Sequence, residues 1–350
     1  MFARVAYGAT AALTVAVVVA ELLHAPTLLI FAATALALIG LAWVLGQATE
    51  SLGHHSGPRI GGILNATFGN AAELIIAIAA LRQGMVELVK ASITGSILGN
   101  LLLILGLSLV ASGLNKPIFR FNRTAAGMSA GMLALAVIGL VFPALYHAAH
   151  PNAAAIDELR LSEIVAAVLL LTYAASLVFS LKTHSRLMSG EPHPTTGKVW
   201  RVPVAVLVLL AATAATAVQA EILVHAVGAV TAGTGISPTF LGLIVVPIIG
   251  NAAEHAAAVL VARKGQVDLA LQIALGSSTQ VALLIAPSLV FIGVLMGQSM
   301  SLVFAPFEVV AVAVSTVVVA IITLDGESHW FEGLQLLAVY ALVAAGAFFI

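Results

Sequence analysis

The chain has 350 residues, of which 61% are hydrophobic and only 8% are charged, and its mean hydropathy is +1.13. Because a soluble domain carries roughly a quarter charged residues, this composition excludes a soluble globular protein and indicates a surface that lies largely in lipid. Lys and Arg total 14 against 15 Asp and Glu, a balance that offers no basic surface for nucleic acid. The absence of cysteine excludes disulfides and thiolate metal sites.

The apolar segments predict an all-α integral membrane protein with about 11 transmembrane helices, since a helix needs about 20 apolar residues to cross a bilayer. The run after Arg4 has the composition of a signal peptide, but because many spans follow it we expect a first transmembrane helix. The predicted spans, numbered one to eleven in chain order, are 5–21, 26–46, 59–82, 86–112, 122–143, 161–181, 201–225, 238–262, 267–297, 302–323 and 331–350.

The basic residues divide unequally between alternate loops. With the N-terminus in the cytoplasm, 11 of the 14 fall on the cytoplasmic side, and only Arg82, Lys90 and Arg160 fall on the other side. The positive-inside rule therefore favours a cytoplasmic N-terminus and, with eleven spans, a C-terminus outside. The longest polar stretch predicts a cytoplasmic linker over 183–200.

A five-residue motif occurs twice in the chain. Gly-Asn-Ala-Ala-Glu occupies 69–73 and 250–254, and at the same offset of 181 residues Arg82 matches Arg263. The copies lie five predicted spans apart, an odd number, so the second copy is expected upside down in the membrane. Inverted repeats are typical of secondary transporters, whose substrate site lies where the copies meet. The expected divisions are an extra N-terminal helix (1–22), a first repeat with helices 2–6 (23–182) and a second repeat with helices 7–11 (201–350).

The motif places one glutamate in each of two apolar segments. Glu73 and Glu254 would each cost about a few kcal/mol or more inside a bilayer, so both are functional candidates by default. The alternative is a glutamate near a helix end whose carboxylate reaches water. Asn70 and Asn251 each precede a glutamate by three residues, which in a continuous helix puts amide and carboxylate on one face.

Glycine and proline residues modify the backbone at the motif. Gly69 and Gly250 either admit a second backbone at close range or serve helix packing. Pro247 can free carbonyl oxygens because it removes a helical hydrogen bond.

Other polar residues extend this candidate site. Thr67 continues the row of Asn70 and Glu73, and His255 follows Glu254 directly, where it modulates proton release or makes a structural hydrogen bond. Glu50 and Glu221 lie in helices 2 and 7 and are candidates for the access paths, with the stronger case for Glu221 because its surroundings in the sequence are apolar. Four residues of the following helices offer further oxygens, or else interhelical hydrogen bonds: Ser96, Asn100, Ser277 and Gln280.

Two carboxylates with several neutral oxygens suit calcium, which takes six to eight oxygen ligands. Without the cation, Glu73 and Glu254 would repel each other in a low dielectric and bind protons instead. The residues therefore predict a calcium/proton antiporter with these two glutamates as metal ligands. The runner-up is a monovalent cation (Na⁺ or K⁺)/proton antiporter at the same site.

Two other classes of protein are less favoured. Paired central carboxylates favour tight binding and alternation over the rapid conduction of a channel. No nucleophile–base constellation, phosphate loop or cofactor motif stands out, so we expect neither an enzyme nor a bound cofactor.

Four motifs resemble those of the calcium/proton exchanger (CAX) family of the cation/calcium exchanger superfamily, over about residues 40–350. They are Gly-Gly-Ile-Leu-Asn-Ala-Thr-Phe-Gly-Asn-Ala-Ala-Glu at 61–73, Gly-Ser-Ile-Leu-Gly-Asn at 95–100, Gly-Asn-Ala-Ala-Glu-His at 250–255 and Gly-Ser-Ser-Thr-Gln at 276–280. The resemblance implies an eleven-helix fold with two inverted five-helix repeats. It also implies that Glu73 and Glu254 bind calcium and protons with help from nearby Asn, Ser and Gln groups. The short loops favour a prokaryotic inner (plasma) membrane.

Overall fold

A computed structural model describes residues 2–114, 116–152, 154–184 and 199–350, and these ranges are almost wholly helical. One small antiparallel sheet pairs β1 (Phe119–Arg120) with β2 (Glu327–Ser328). Most of the predicted linker over 183–200 lies outside the described residues. The α-helices of these ranges are α1 (Phe2–Leu22), α2 (Thr27–Phe68), α3 (Ala71–Arg82), α4 (Val86–Leu98), α5 (Leu105–Gly113), α6 (Arg123–Ala149), α7 (Ala155–Val178), α8 (Val202–Thr234), α9 (Pro238–Phe240), α10 (Val246–Gly250), α11 (Ala252–Arg263), α12 (Val267–Gln280), α13 (Ala286–Leu295), α14 (Pro306–Ile322) and α15 (Trp330–Phe348).

Membrane-crossing helices dominate the described part of the chain. Eight helical segments are long and apolar enough to cross a bilayer, and a ninth crossing results if the bent pair Pro238–Gly250 and Ala252–Arg263 is counted as one span. α14 is apolar, but it has only 17 residues. The predicted class of all-α membrane protein is confirmed at this level, and the count of eleven crossings stays a prediction.

The second and third predicted spans are joined by helix and not by a loop. α2 runs for 42 residues, and only Gly57 departs from helical geometry inside it, with φ 77° and ψ 170°. Glycine adopts such a positive φ without a steric penalty, so the chain kinks there. The expected loop after residue 46 is therefore wrong, because polar residues such as Ser51, which donates to the Gln47 carbonyl, remain compatible with a helix.

Both spans that carry the motif are broken at its asparagine. Asn70 (φ −98°, ψ 22°) and Asn251 (φ −98°, ψ 4°) leave helical geometry, and α3 and α11 each begin at the next residue. The break at Asn251 bends the chain by 62°. The expectation of continuous helices over 59–82 and 238–262 is therefore wrong, because both asparagines have backbone angles in the bridge region, outside the α-helical range.

The repeat found in the sequence recurs in the backbone. α3 and α11 are both 12 residues long and occupy positions that differ by 181 residues. Gly84 and Gly265, at the same offset, both have positive φ (72° and 81°). The helices that follow, α4 and α12, both pass into π-helical turns, at Gly99–Ile104 and Val281–Ile285. π-turns inside helices are rare and often mark functional sites.

The first compact unit comprises the described residues of 1–89 and 193–253. Its core is the contact between α2 and α8, where Leu41, Leu45 and Ala48 of α2 pack with Leu209 and Ala212 of α8. α1 lies against these two helices, and its Tyr7 ring stacks on that of Trp43 with ring centroids 4.7 Å apart.

The second compact unit comprises the described residues of 90–192 and 254–349. α5 packs on α15, α6 on α14, and α7 on α13. The short sheet fastens the ends of this unit, with Arg120 of β1 paired with Glu327 of β2 at 2.8 Å. Each unit therefore contains helices from both predicted repeats.

The close approach of α5 and α15 can be tested by adding a side chain at Gly333. A Cβ at Gly333 would lie 2.6 Å from the Gly106 carbonyl oxygen and 2.8 Å from the Val110 nitrogen. We expect Gly333→Val to push the helices apart and to lower the free energy of unfolding by about 1–3 kcal/mol. The measurement is the melting temperature in detergent, with Gly131→Val on α6 as control because that position has open space. Equal melting of the two variants would contradict the close approach.

Candidate functional site

The two motif glutamates occupy equivalent positions in the backbone. Glu73 lies in the first turn of α3 and Glu254 in the first turn of α11, in each case three residues after the asparagine at the break. The free N–H groups of a helix N-terminus carry a partial positive charge, which stabilises a nearby carboxylate. Asn70 is the N-cap of α3 and Asn251 directly precedes α11, so neither lies on the continuous helix face that the spacing predicted.

In the first unit, Glu73 meets the second copy of the motif. The Asn251 Nδ2 atom donates a hydrogen bond to Glu73 Oε1 at 2.5 Å and another to the Pro247 carbonyl at 3.1 Å. A Cβ at Gly250 would lie 3.1 Å from Glu73 Cγ. The glycine thus leaves room for the glutamate side chain, whose Cγ is its nearest neighbour.

The Pro247 carbonyl oxygen also holds Asn251 in place. It accepts from both the backbone N–H (2.9 Å) and the side-chain amide of Asn251. These two bonds fix the orientation of the Asn251 side chain, whose amide then reaches Glu73. Asn251 is 2% exposed, so these bonds lie inside the protein.

In the second unit, three predicted site residues form a hydrogen-bonded chain. Asn100 Nδ2 donates to Ser277 Oγ at 3.0 Å, and His255 Nε2 lies 3.2 Å from Asn100 Oδ1. All three side chains are buried. Asn100 lies in the π-turn after α4, and it comes from the first predicted repeat, whereas Ser277 and His255 come from the second. His255 therefore makes a buried hydrogen bond, and its predicted effect on proton release stays a prediction.

The remaining predicted site residues are buried to different degrees. Asn70 and Ser96 are buried, whereas Glu73, Glu254 and Gln280 are partly buried. Within the described ranges, no three His, Asp or Glu side chains form a group that could hold a metal ion. The prediction that amide and hydroxyl oxygens complete a cation site around the two glutamates remains a prediction.

Three of the outlying candidates are not brought into these clusters. Thr67 is exposed, and its hydroxyl donates to the Ile63 carbonyl of its own helix. Glu50 is exposed and accepts a bond from Gln47 at 3.4 Å. Glu221, whose neighbours along the chain are apolar, lies beside a positively charged side chain where α3 packs on α8.

The partners of Glu221 were missed by sequence reasoning. Arg82 Nη1 lies 2.9 Å from Glu221 Oε1, and Gln83 Nε2 donates to the other carboxylate oxygen at 3.1 Å. The sequence used Arg82 only as a marker of the repeat. These residues lie about 140 positions apart, and no local pattern signals a pair over that distance.

The helical membrane fold and the repeated broken helices define a membrane protein of the transporter class. The sequence signature described as "Sodium/calcium exchanger protein" matches residues 26–182 and 204–349. The chain belongs to that family, so the resemblance seen in the motifs is confirmed.

Similar proteins cover nearly the whole chain. The Ca²⁺/H⁺ antiporter ChaA of Bacillus subtilis (strain 168) is 42% identical over 336 residues, which is 95% of each protein. The Ca²⁺/H⁺ antiporter of Synechocystis sp. is 42% identical over 342 residues and covers 91% of each. The solved structure of native YfkE superposes with a TM-score of 0.86 at 39% identity, covering 99% of this chain and 100% of that one.

The buried chain through Asn100 predicts a loss of stability on truncation. Asn100→Ala removes two hydrogen bonds from a buried position, and we expect the free energy of unfolding to fall by about 1–3 kcal/mol. The measurement is thermal unfolding in detergent. Thr172→Ala is the control, because that exposed hydroxyl bonds only to its own helix. An unchanged melting temperature for Asn100→Ala would contradict the role of this chain.

Proposed function

We propose that this protein is a secondary active transporter that exports Ca²⁺ in exchange for H⁺ by alternating access. The observation that carries the proposal is the contact of Glu73 with Gly250 and Asn251, which joins the two copies of the motif in the first unit. The relatives named Ca²⁺/H⁺ antiporters, similar over nearly their whole length, support the same reading.

The exchange follows from charge balance at two carboxylates. In the proposal Glu73 and Glu254 both bind the transported cation, so that two negative charges offset the double charge of Ca²⁺. When Ca²⁺ leaves, protons replace it, because two bare carboxylates in a low dielectric are costly. The site then has no net charge in either loaded form. It can therefore change its access from one side of the membrane to the other without moving a buried charge.

Neutral oxygens complete the proposed cation shell. Calcium needs six to eight oxygen ligands, more than two carboxylates provide. Two candidate groups of the second unit, Asn100 and Ser277, are hydrogen-bonded to each other. The proposed contributors are amide and hydroxyl groups of the two motif copies and of the helices that follow them. They are Asn70, Asn251, Ser96, Asn100, Ser277 and Gln280.

The proposed topology has eleven spans and inverted repeats, and its cytoplasmic N-terminus and outside C-terminus rest on the distribution of basic residues. Contacts within the first unit support the order in which the predicted spans alternate between the two sides. The backbone N–H of Trp200, before the seventh span, donates to Ser51 Oγ, after the second span, at 3.3 Å. Glu21, after the first span, lies 3.4 Å from His225, at the end of the seventh. The topology puts the first pair inside and the second pair outside, so both contacts agree with it.

Contacts within the second unit also join segments that the proposed topology puts on the same side of the membrane. The β1–β2 pairing joins the segments that follow the fourth and tenth spans, both inside. Asn122, after the fourth span, donates its N–H to Asp268, after the eighth, which is also inside. The N–H of Leu302, after the ninth span, donates to Ser162, after the fifth, and both lie outside. The proposed location is a prokaryotic inner membrane.

Removal of either carboxylate is the first test. We expect Glu73→Gln and Glu254→Gln each to reduce Ca²⁺-driven proton flux in proteoliposomes to the level of protein-free vesicles. A glutamine neither offsets the charge of the cation nor takes up and releases a proton. Glu327→Gln, which removes an exposed carboxylate of β2, is the control. Normal exchange by either of the first two variants would overturn the proposal.

Cation choice is tested with the unaltered protein under an imposed pH gradient. We expect Ca²⁺ uptake with Na⁺ and K⁺ absent, and a weaker apparent Ca²⁺ affinity as the proton concentration on the Ca²⁺ side rises, since both ions compete for the same carboxylates. Proton flux driven by Na⁺ or K⁺ but not by Ca²⁺ would instead establish the monovalent cation/proton antiporter.

A further inference from the structure

The half-helix α3 has an anchor at each end. Its first turn carries Glu73, which contacts Gly250 and Asn251, and its last turn carries Arg82, which pairs with Glu221 of α8. A helix rises 1.5 Å per residue, so Arg82 lies about 14 Å along the axis from Glu73. Because the helix is short and continuous, a shift at its far end moves the glutamate at the near end.

The contact at the Arg82 end of α3 consists of one ion pair together with further hydrogen bonds. Arg82 Nη1 binds Glu221 Oε1 at 2.9 Å, Gln83 Nε2 binds Oε2 at 3.1 Å, and Gln83 Nε2 also lies 3.4 Å from the Glu221 carbonyl. Both carboxylate oxygens therefore accept from adjacent residues at the end of α3. A multiple, partly charged set of bonds defines a geometry better than a single exposed pair.

This anchor is present in only one of the two repeats. At the offset of 181 residues Gln83 corresponds to Lys264, and Glu221 corresponds to Gly40. Gly40 lies against Thr10 of α1, where a Cβ would be 2.5 Å from the threonine hydroxyl oxygen. The position equivalent to Glu221 is thus a glycine, although the motifs themselves match.

We infer that Arg82, Gln83 and Glu221 form a positioning latch, which holds the end of α3 on α8 and so fixes Glu73 for cation binding. The inference rests on the proposed function, and in the proposed topology the latch lies on the outer side of the membrane. Its role is positional, because none of the three residues contacts Glu73. The position equivalent to Glu221 in the first repeat, Gly40, has no side chain that could take the place of this carboxylate.

The test uses single and paired substitutions in the full-length protein. We expect Arg82→Gln and Glu221→Gln to weaken the apparent Ca²⁺ affinity in proteoliposomes by about two- to fivefold at little cost in maximal rate, the range that an exposed ion pair supplies. The charge-swapped double variant Arg82→Glu/Glu221→Arg is expected to recover much of the affinity. The matched control is Arg120→Gln and Glu327→Gln, a pair of similar length and exposure away from α3.

A second measurement does not depend on transport. Amide hydrogen exchange at the end of α3, residues 79–84, is expected to speed up in the two latch variants and to stay unchanged in the control variants. The latch would be overturned if the latch variants kept the apparent Ca²⁺ affinity and the amide hydrogen exchange of the unaltered protein. It would also be overturned if the charge swap recovered no Ca²⁺ affinity, or if the control pair showed equal effects. If the unaltered protein moves no Ca²⁺, the proposed function fails. The amide hydrogen exchange at residues 79–84 then decides by itself whether the latch holds the end of α3.

Discussion

The hydrogen bond from the Asn251 amide to the Glu73 carboxylate joins two copies of one motif that lie 178 positions apart along the chain. A carboxylate in an apolar helix is costly unless it has partners, and Glu73 has the polar group of the other copy and space left by Gly250. The glutamate is therefore ordered only when both halves of the chain are folded. The proposed cation binding at Glu73 depends on that joint arrangement.

The broken helices explain how the motif serves such a site. A continuous helix uses its N–H groups internally, whereas a break at Asn70 or Asn251 frees the first N–H groups of α3 and α11 beside the glutamates. Ion sites of transporters commonly use such half-helices. The π-turn that carries Asn100 adds a similar departure from regular geometry, and Asn100 there contacts Ser277 and His255.

The two repeats agree at the motif and differ at its periphery. α3 and α11 match in length and position, yet the acidic partner of Arg82 corresponds to Gly40, which is packed against α1 instead. In the predicted division α1 lies outside both repeats, and it is held to α2 by Tyr7 and to α8 by Gln219, which donates to the Thr14 carbonyl at 3.1 Å. The two copies of the motif thus lie in helices whose equivalent neighbouring positions carry different residues.

The sequence by itself determined the membrane class, the repeat and its offset, and the two glutamates with their polar neighbours, because hydropathy and spacing are local properties of the chain. The tertiary structure decided that Asn70 and Asn251 break the helices, that α2 continues to Phe68, and that Glu221 pairs with Arg82. Polar residues are compatible with either a helix or a break, so their sequence pattern does not choose between them. Contacts over more than a hundred residues arise only when helices pack, and packing leaves no local signal in the amino-acid pattern.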